Sequence, residues 1–510
     1  MSYKTQISGR EFYMKPKYVI IQAGGKGTRM GKYTYNKPKA LLSVNGLPLI
    51  FRIFKSFENA FFIIIADYKH DVLQKYLLTY ATNIKYTIVK SDSFGTCSGI
   101  TEALTYILPN TSFIVTWSDL YFGDEFKYDF ETDKNYVGIS RTFECRWSFK
   151  NGTFVEEPSS ENGVAGFFVF SNKNLISDVP NEGEFVRYLS TKNIPFEKFD
   201  LVGVEEYGTV EKYEKLFSKA VSRPFNIVVL KDNYVEKRPI GKKGEELALK
   251  ERAWYKFVNE KGYENIPKVL TLEPLRLERI IGKHPFEMEA DPKIVEKIVE
   301  ALNKLHEIDN PIPSDKLSLD KEYFVKTFER LFQVRNLIPH ADKESIIING
   351  MNCPNPFYYE DKIFSSLKEH YPSEFKVIHG DPTFSNTLID DKGKIFFIDP
   401  RGYFGFTDIY GDEDYDFAKL HYSVVGNYDK FNRKRFTLKI YEGEVELEIE
   451  LSGYDKYEDS FFELIGHNKR EKIKLLHAII WLSLTTYAWD DFDMVCGAFY
   501  NGTLKLREVL

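Results

Sequence analysis

Residues 22–42 read QAGGKGTRMGKYTYNKPKALL and follow the apolar run Tyr18-Val19-Ile20-Ile21. A glycine-rich turn after a strand leaves backbone N–H groups bare to a phosphate, so the spacing of its glycines decides which α/β design it serves. A Walker A loop needs a glycine five residues before its Gly-Lys pair and Ser or Thr after it. Gly31-Lys32 has Lys26 and Tyr33 in those places. The dinucleotide fingerprint would begin at Gly25 and Gly27, but its third position is Met30, where close helix packing demands glycine. What remains is a strand, a glycine turn that suits a triphosphate, and two fixed cations, Arg29 and Lys39.

The runs around this stretch extend the pattern. YVIIQAG (18–24), FFIIIADY (61–68), YTIVKS (86–91), SFIVTWSDL (112–120), YVGIS (136–140) and GFFVFS (166–171) are continuous rather than alternating, as strands buried on both faces are. They predict an α/β layer fold. Near Arg223-Pro224 the pattern changes to FNIVVLKDNYVEKRPI, two strand-like runs joined by Lys231-Asp232-Asn233, followed by the helical segment GEELALKERAWYKFV. After about residue 290 the chain reads as largely helical, with a hairpin-like exception at 436–452. The main boundary is expected close to residue 222.

The 510 residues exceed one ordinary core, and 43% apolar content fits a globular chain. A net charge of −6 gives no global footprint for nucleic acid or an anionic membrane, so neither is expected as a partner. Four cysteines without a C-x-x-C pair point to a reducing compartment, and no run reaches the length of a spanning helix. A cytoplasmic protein is the expectation. Oligomeric state is not legible.

GGKGTRM followed by KPKALL resembles the signature of the sugar-phosphate nucleotidyltransferases, over roughly residues 18–222. The resemblance implies a Rossmann-like (GT-A type) α/β domain over 1–222, which joins a nucleoside triphosphate to a phosphorylated small molecule and releases pyrophosphate. It implies that Gly24, Gly25, Gly27 and Thr28 hold the triphosphate with Arg29, that Lys39 lies near the α-phosphate, and that Mg²⁺ is held by Asp119 and Glu206. Glu206 in EEYGT stands where the family has Asp. Gly95 in FGTCSGITEAL matches the segment that meets the base and sugar, and CTP or UTP is the expected nucleotide. One departure stands out. Where relatives carry Glu-Lys-Pro with the lysine on the acceptor phosphate, this chain has Glu156-Glu157-Pro158, leaving Arg146 or Lys150 for that role or a different acceptor.

Residues 377–402 read VIHGDPTFSNTLIDDKGKIFFIDPRG. The core H-G-D-x-x-x-x-N, an apolar strand and I-D-P resemble the catalytic and metal loops of the aminoglycoside phosphotransferase and choline kinase group. A bilobal protein-kinase-like α+β domain over 223–510 is implied, with lobes meeting near 285/286. In-line phosphoryl transfer needs a base and oxygen ligands for Mg²⁺. Asp381 matches the base, Asn386 and Asp399 the metal ligands, and His379 a supporting residue. Lys237 is placed to reach the ATP phosphates and Glu251 to pair with it, with Glu246 as a competing choice. LERIIG (277–282) resembles the hinge and LNKLHEID (302–309) a scaffold helix. In the segment 479–494, Trp481, Trp489, Asp490 and Asp491 either line an acceptor pocket or, more plainly, pack a helix.

Two consecutive steps are therefore expected: phosphorylation of a small hydroxyl compound, a sugar or polyol, then its activation as a nucleotide derivative for surface glycan. Choline or a related amino alcohol as acceptor, with CTP as nucleotide donor, is the alternative. A non-catalytic kinase-like scaffold is the alternative of another class.

Overall fold

The computed structural model describes residues 16–131, 133–218 and 225–510. The chain divides into two compact units, 1–219 and 220–510. The boundary expected near 222 lies outside the described residues.

In the first unit the apolar runs form β1 (Tyr18–Gln22), β2 (Phe61–Ala66), β3 (Tyr86–Lys90) and β4 (Phe113–Trp117). β1 lies between β2 and β4, parallel to both, and β3 lies parallel on the far side of β2. Helices and turns cover this sheet, which is why Val19, Ile20, Ile21, Ile63 and Ile64 are fully buried. Burial of each such side chain contributes roughly 1.5–3 kcal/mol. After the short strand β5 (Leu120–Phe122), β6 (Gly163–Phe170) runs antiparallel to β4 and extends the sheet. Finally β7 (Val204–Glu206) pairs antiparallel with β5, outside the main sheet.

The second unit opens with a twisted four-stranded antiparallel sheet. β8 (Asn226–Leu230) and β9 (Tyr234–Pro239) form the expected hairpin, and β10 (Val269–Leu272) and β11 (Leu275–Glu278) complete the order β8-β9-β11-β10. Between β9 and β10 runs α1 (Gly241–Glu260), anchored where Trp254 Nε1 donates to the Ile378 carbonyl at 2.7 Å. The remainder is carried by α2 (Lys326–Val334), α3 (Glu413–Val424), α4 (Arg470–Leu484) and α5 (Phe492–Leu506). A Cβ at Gly502 would come 2.7 Å from Leu482, so α5 lies close against α4 there.

The expectation of a largely helical region after residue 290 needs a correction. The hairpin of strands Phe436–Ile440 and Glu444–Ile449 joins a second hairpin, Ser345–Ile348 with Met351–Pro354, in one four-stranded sheet. Asn349 and Gly350 make its two-residue turn with φ of 50° and 73°, the left-handed pair that such turns require. All four cysteines are buried, and among the described residues no helix is long and apolar enough to cross a membrane.

Candidate functional site

At the C-terminal end of β1 the chain turns sharply. Ala23 still bonds the Ile65 carbonyl, but among the described residues the N–H groups of residues 24–27 have no hydrogen-bond partner. Gly27 adopts φ 62° and a Cβ at Gly25 would meet only open space, so this backbone is bare on one side. A 3₁₀ segment Thr28–Thr34 follows, pinned by the fully buried Met30, while Thr28 and Arg29 stay exposed. Unpaired N–H groups beside an exposed guanidinium form an anion-binding concavity.

Lys39, Asp119 and Glu206 come from distant parts of the sequence and meet here. Asp119 sits in the turn after β4, where Ser118 N–H donates to the Gln22 carbonyl and keeps that turn beside the glycine loop. Register does the rest: β7 pairs Glu206 with Leu120, and Tyr207 N–H donates to the Asp119 carbonyl at 3.2 Å. Lys39 Nζ stands 2.6 Å from Asp119 Oδ2 and 3.6 Å from Glu206 Oε1, with all three side chains at most 26% exposed. The two carboxylates lie near enough to Cys145 to add to the effect of burial, which pushes its thiol up to about 12.

Mg²⁺ prefers hard oxygen donors and is held in nucleotide sites by one or two carboxylates plus phosphate oxygens. Among the described residues no group of three or more His, Cys, Asp or Glu could hold a metal without such help. Asp119 and Glu206, both beside one ammonium, fit the two-carboxylate case.

Gly95 has a packing reason of its own. It adopts φ 90°, and a Cβ there would fall 2.3 Å from the Gly183 carbonyl oxygen. Gln22, not singled out by sequence, ties that loop to the sheet by donating to the Thr96 carbonyl at 2.6 Å. At the expected acceptor edge Arg146 pairs with Glu156, and Lys150 lies 2.8 Å from Glu157. The two substitutes for the missing lysine are thus already neutralised. Arg187 also pairs with Glu156 and lies over the Trp147 ring, and Trp147 Nε1 donates to Glu184 at 2.7 Å.

In the second unit Lys237 Nζ pairs with both Glu251 on α1 and Asp399. The competing Glu246 lies 3.5 Å from Lys243 instead. Burial favours the neutral form of Lys237, but Asp399 and Glu251 outweigh it and raise its pKa. Asn386 Nδ2 donates to the Asp381 carbonyl at 2.9 Å and to Asp381 Oδ2 at 2.8 Å, and Ile398 N–H returns to the Asn386 carbonyl at 2.9 Å. Asp399 follows with φ 59°, a backbone state uncommon outside glycine and clustered at functional sites. The oxygens of Asn386 and Asp399 are hard donors on adjoining segments and fit a nucleotide-bound Mg²⁺.

His379 is fully buried and supports the loop. Its Nδ1 accepts from Asp381 N–H at 3.2 Å and its Nε2 bonds the Ile398 carbonyl at 3.0 Å, while burial lowers its pKa. Two residues that the sequence did not reveal also hold the loop. Asp416 on α3 accepts from the N–H of His379 at 2.8 Å and of Gly380 at 2.7 Å, and lies 3.1 Å from His306. Lys419, one turn along, stands 3.1 Å from Asp381 Oδ1.

The pocket reading of residues 479–494 is corrected in part. Trp481 is fully buried among Tyr422, Phe431 and His477, and Asp491 caps α5 while pairing with Lys434 at 2.7 Å. These two are structural. Trp489 and Asp490 are half-buried.

Residues 19–125, within the first unit, match the MobA-like NTP transferase domain family. A probable glucose-1-phosphate cytidylyltransferase of Bacillus subtilis (strain 168) is 37% identical over 65 residues, which make up 12% of this chain and 25% of that protein. The chain thus spans a quarter of the length of this curated relative. Among solved structures, HddC from Yersinia pseudotuberculosis aligns with 40% of this chain and 98% of its own at 23% identity, TM-score 0.34. The inositol-1-phosphate CTP transferase from T. maritima aligns with 40% and 96% at 16% identity, TM-score 0.32. The CTP:phosphocholine cytidylyltransferase from Streptococcus pneumoniae aligns with 39% and 96% at 20% identity, TM-score 0.31.

Proposed function

We propose that the chain is a bifunctional transferase: the second unit phosphorylates a small hydroxyl compound with ATP, and the first couples the phosphate product to a nucleoside triphosphate. The observation that carries the reading of the first unit is the meeting of Lys39, Asp119 and Glu206 beside a bare glycine loop, the first two inside the NTP transferase match and Glu206 well beyond it. For the second unit the support is the linked set Lys237, Glu251, Asp399, Asn386 and Asp381.

In the first step the acceptor hydroxyl oxygen bonds to the γ-phosphorus, its proton passes to Asp381, and the bond to ADP breaks with its electron pair leaving on ADP. Lys237, held by Glu251, neutralises the ATP phosphates. In the second step an oxygen of the new phosphate ester attacks the α-phosphorus of the second nucleotide and pyrophosphate leaves. Arg29 and the bare N–H groups of residues 24–27 bind the leaving phosphates, and Lys39 offsets the charge that builds at the α-phosphate. Mg²⁺, where bound by Asp119 with Glu206 or by Asn386 with Asp399, supplies charge neutralisation between phosphate oxygens.

A sugar or polyol acceptor and CTP or UTP as second nucleotide are the favoured substrates, with an activated surface-glycan precursor as the product class. A second reading, choline phosphate with CTP, draws on one observation: Glu157 stands where relatives place a lysine, so that edge carries an acid in place of a cation. Incubating the full chain with ATP, Mg²⁺, a panel of nucleoside triphosphates and candidate alcohols tests the scheme. ADP is expected first, then pyrophosphate only after phosphorylation. Pyrophosphate release confined to phosphates unrelated to the kinase product would sink it.

A further inference from the structure

Around Asp381 the second unit gathers more positive charge than its own carboxylates require. The Tyr415 ring has Lys326 Nζ at 6.0 Å, Lys419 Nζ at 5.8 Å and the Arg401 guanidinium carbon at 5.8 Å from its centroid. Arg401 grips the buried Glu322 in bidentate fashion, at 2.5 and 3.0 Å, and Lys326 pairs with the same carboxylate. Lys419 meets Asp381 itself at 3.1 Å. Arg330, one turn beyond Lys326 on α2, bonds the Ser483 carbonyl at 2.8 Å and hydroxyl at 2.7 Å. Three cations, Lys326, Arg401 and Lys419, therefore share the two carboxylates Glu322 and Asp381, with Arg330 close by.

The cations lie at an opening and not in sealed core. Lys326, Lys419 and Arg401 keep between 16% and 19% of their side chains exposed, and Asp381 keeps 33%. Beside them Tyr422 is 1% exposed, its ring 5.6 Å from Lys419 Nζ, and among the described residues its hydroxyl has no hydrogen-bond partner. A buried hydroxyl without a partner costs stability, so a ligand oxygen is its natural complement. The nearby Asp429 accepts from Ser385, and burial raises its pKa. Burial is the leading cause that pulls Lys326 down to about 7, with Arg401 and Arg330 adding to it against Glu322.

The ATP phosphates have their own partner in Lys237, and their Mg²⁺ would have Asn386 and Asp399. Resting on the kinase reading, we propose that the hydroxyl compound phosphorylated at Asp381 carries an anionic group, a carboxylate or a phosphate ester, seated against Lys419, Lys326 and Arg401 with a hydrogen bond from Tyr422 Oη. A quaternary ammonium such as choline would meet like charge at this place and be rejected.

Calorimetric titration of the full chain, saturated with Mg²⁺ and a non-hydrolysable ATP analogue, with glycerol 3-phosphate, glycerate, glycerol and choline tests the proposal. The two anions are expected to bind about tenfold or more tightly than glycerol, as one added charge-assisted hydrogen bond implies, and choline less tightly. Lys419→Gln, and separately Lys326→Gln, should erase that preference. Equal binding of glycerol and the anions, no binding by either anion, or anion binding only when the analogue is absent would overturn it. The last result would mean that the anion occupies the nucleotide's phosphate position. Anion preference in a protein that forms no ADP would sink the kinase reading and uphold the anion site, whereas ADP formation without the preference would overturn the anion site alone.

Discussion

Gly208 stands where any Cβ would come within 1.9 Å of Glu206 Oε1, so the residue two positions after the carboxylate sets where that carboxylate can lie. Its φ is not in the left-handed region, and alanine can take the backbone. The requirement for glycine is thus one of space, and of space held for Glu206.

Gly208→Ala should therefore leave the unit folded and turn Glu206 away from Lys39. Misplacing a group at a reacting centre by about 1 Å costs on the order of 10²-fold in rate. Pyrophosphate release is expected to fall by about that factor with an unchanged circular dichroism spectrum, and more Mg²⁺ should be needed for half-maximal activity. Wild-type kinetics in the variant would remove Glu206 from the site.

Asp381→Asn should lower ADP formation by roughly 10²–10⁴-fold, the range lost with a general base, while pyrophosphate release from a pre-made phosphate ester continues. Separate assays of the two products on one variant check it. Unchanged ADP formation would favour a non-catalytic role for the second unit.

Asp416→Ala should strip two buried N–H groups, those of His379 and Gly380, of their acceptor. Each orphaned group costs about 1–3 kcal/mol, so urea denaturation should show the second unit weakened by about 2–6 kcal/mol and ADP formation reduced with it. Full stability in this variant would mean that the loop is held by other contacts.

Acid should weaken the second unit. His379, His421 and His477 are fully buried, and burial is the leading cause that lowers each pKa below the usual 6.5. Below 6.5 the unfolded chain takes up protons that the folded chain does not, so stability present above that pH is lost as pH falls. Thermal unfolding midpoints should drop between pH 7.5 and 5. A flat profile would mean that these rings protonate in place.

Legibility followed locality. The glycine loop, the strands around it and the H-G-D-x-x-x-x-N segment are short-range patterns, and they are readable because their chemistry is fixed by neighbours in sequence. Asp416 was not readable, since one acid among several in GDEDYDFAKL gives no sign of which carboxylate turns inward. Trp481 stayed open for the reverse reason: an aromatic near two acids looks the same in sequence whether it lines a pocket or fills a core, and burial bears out the plainer reading of helix packing. The hairpin at 345–354 had a signal, Asn349-Gly350 between apolar runs, which the helical bias around it obscured. Lys419 and Lys326 become informative only through their shared neighbour Tyr415.

Lys39 between Asp119 and Glu206, and Lys237 between Glu251 and Asp399, give both units the same resident counter-ion: a tethered ammonium at very high local concentration. A bare divalent ion reaching either place competes with a cation that cannot diffuse away. A nucleotide that arrives with its metal brings phosphate oxygens for that ammonium to turn to, and the exchange becomes neutral in charge. Metal and nucleotide should then enter as one body, and the empty sites should stay indifferent to magnesium alone.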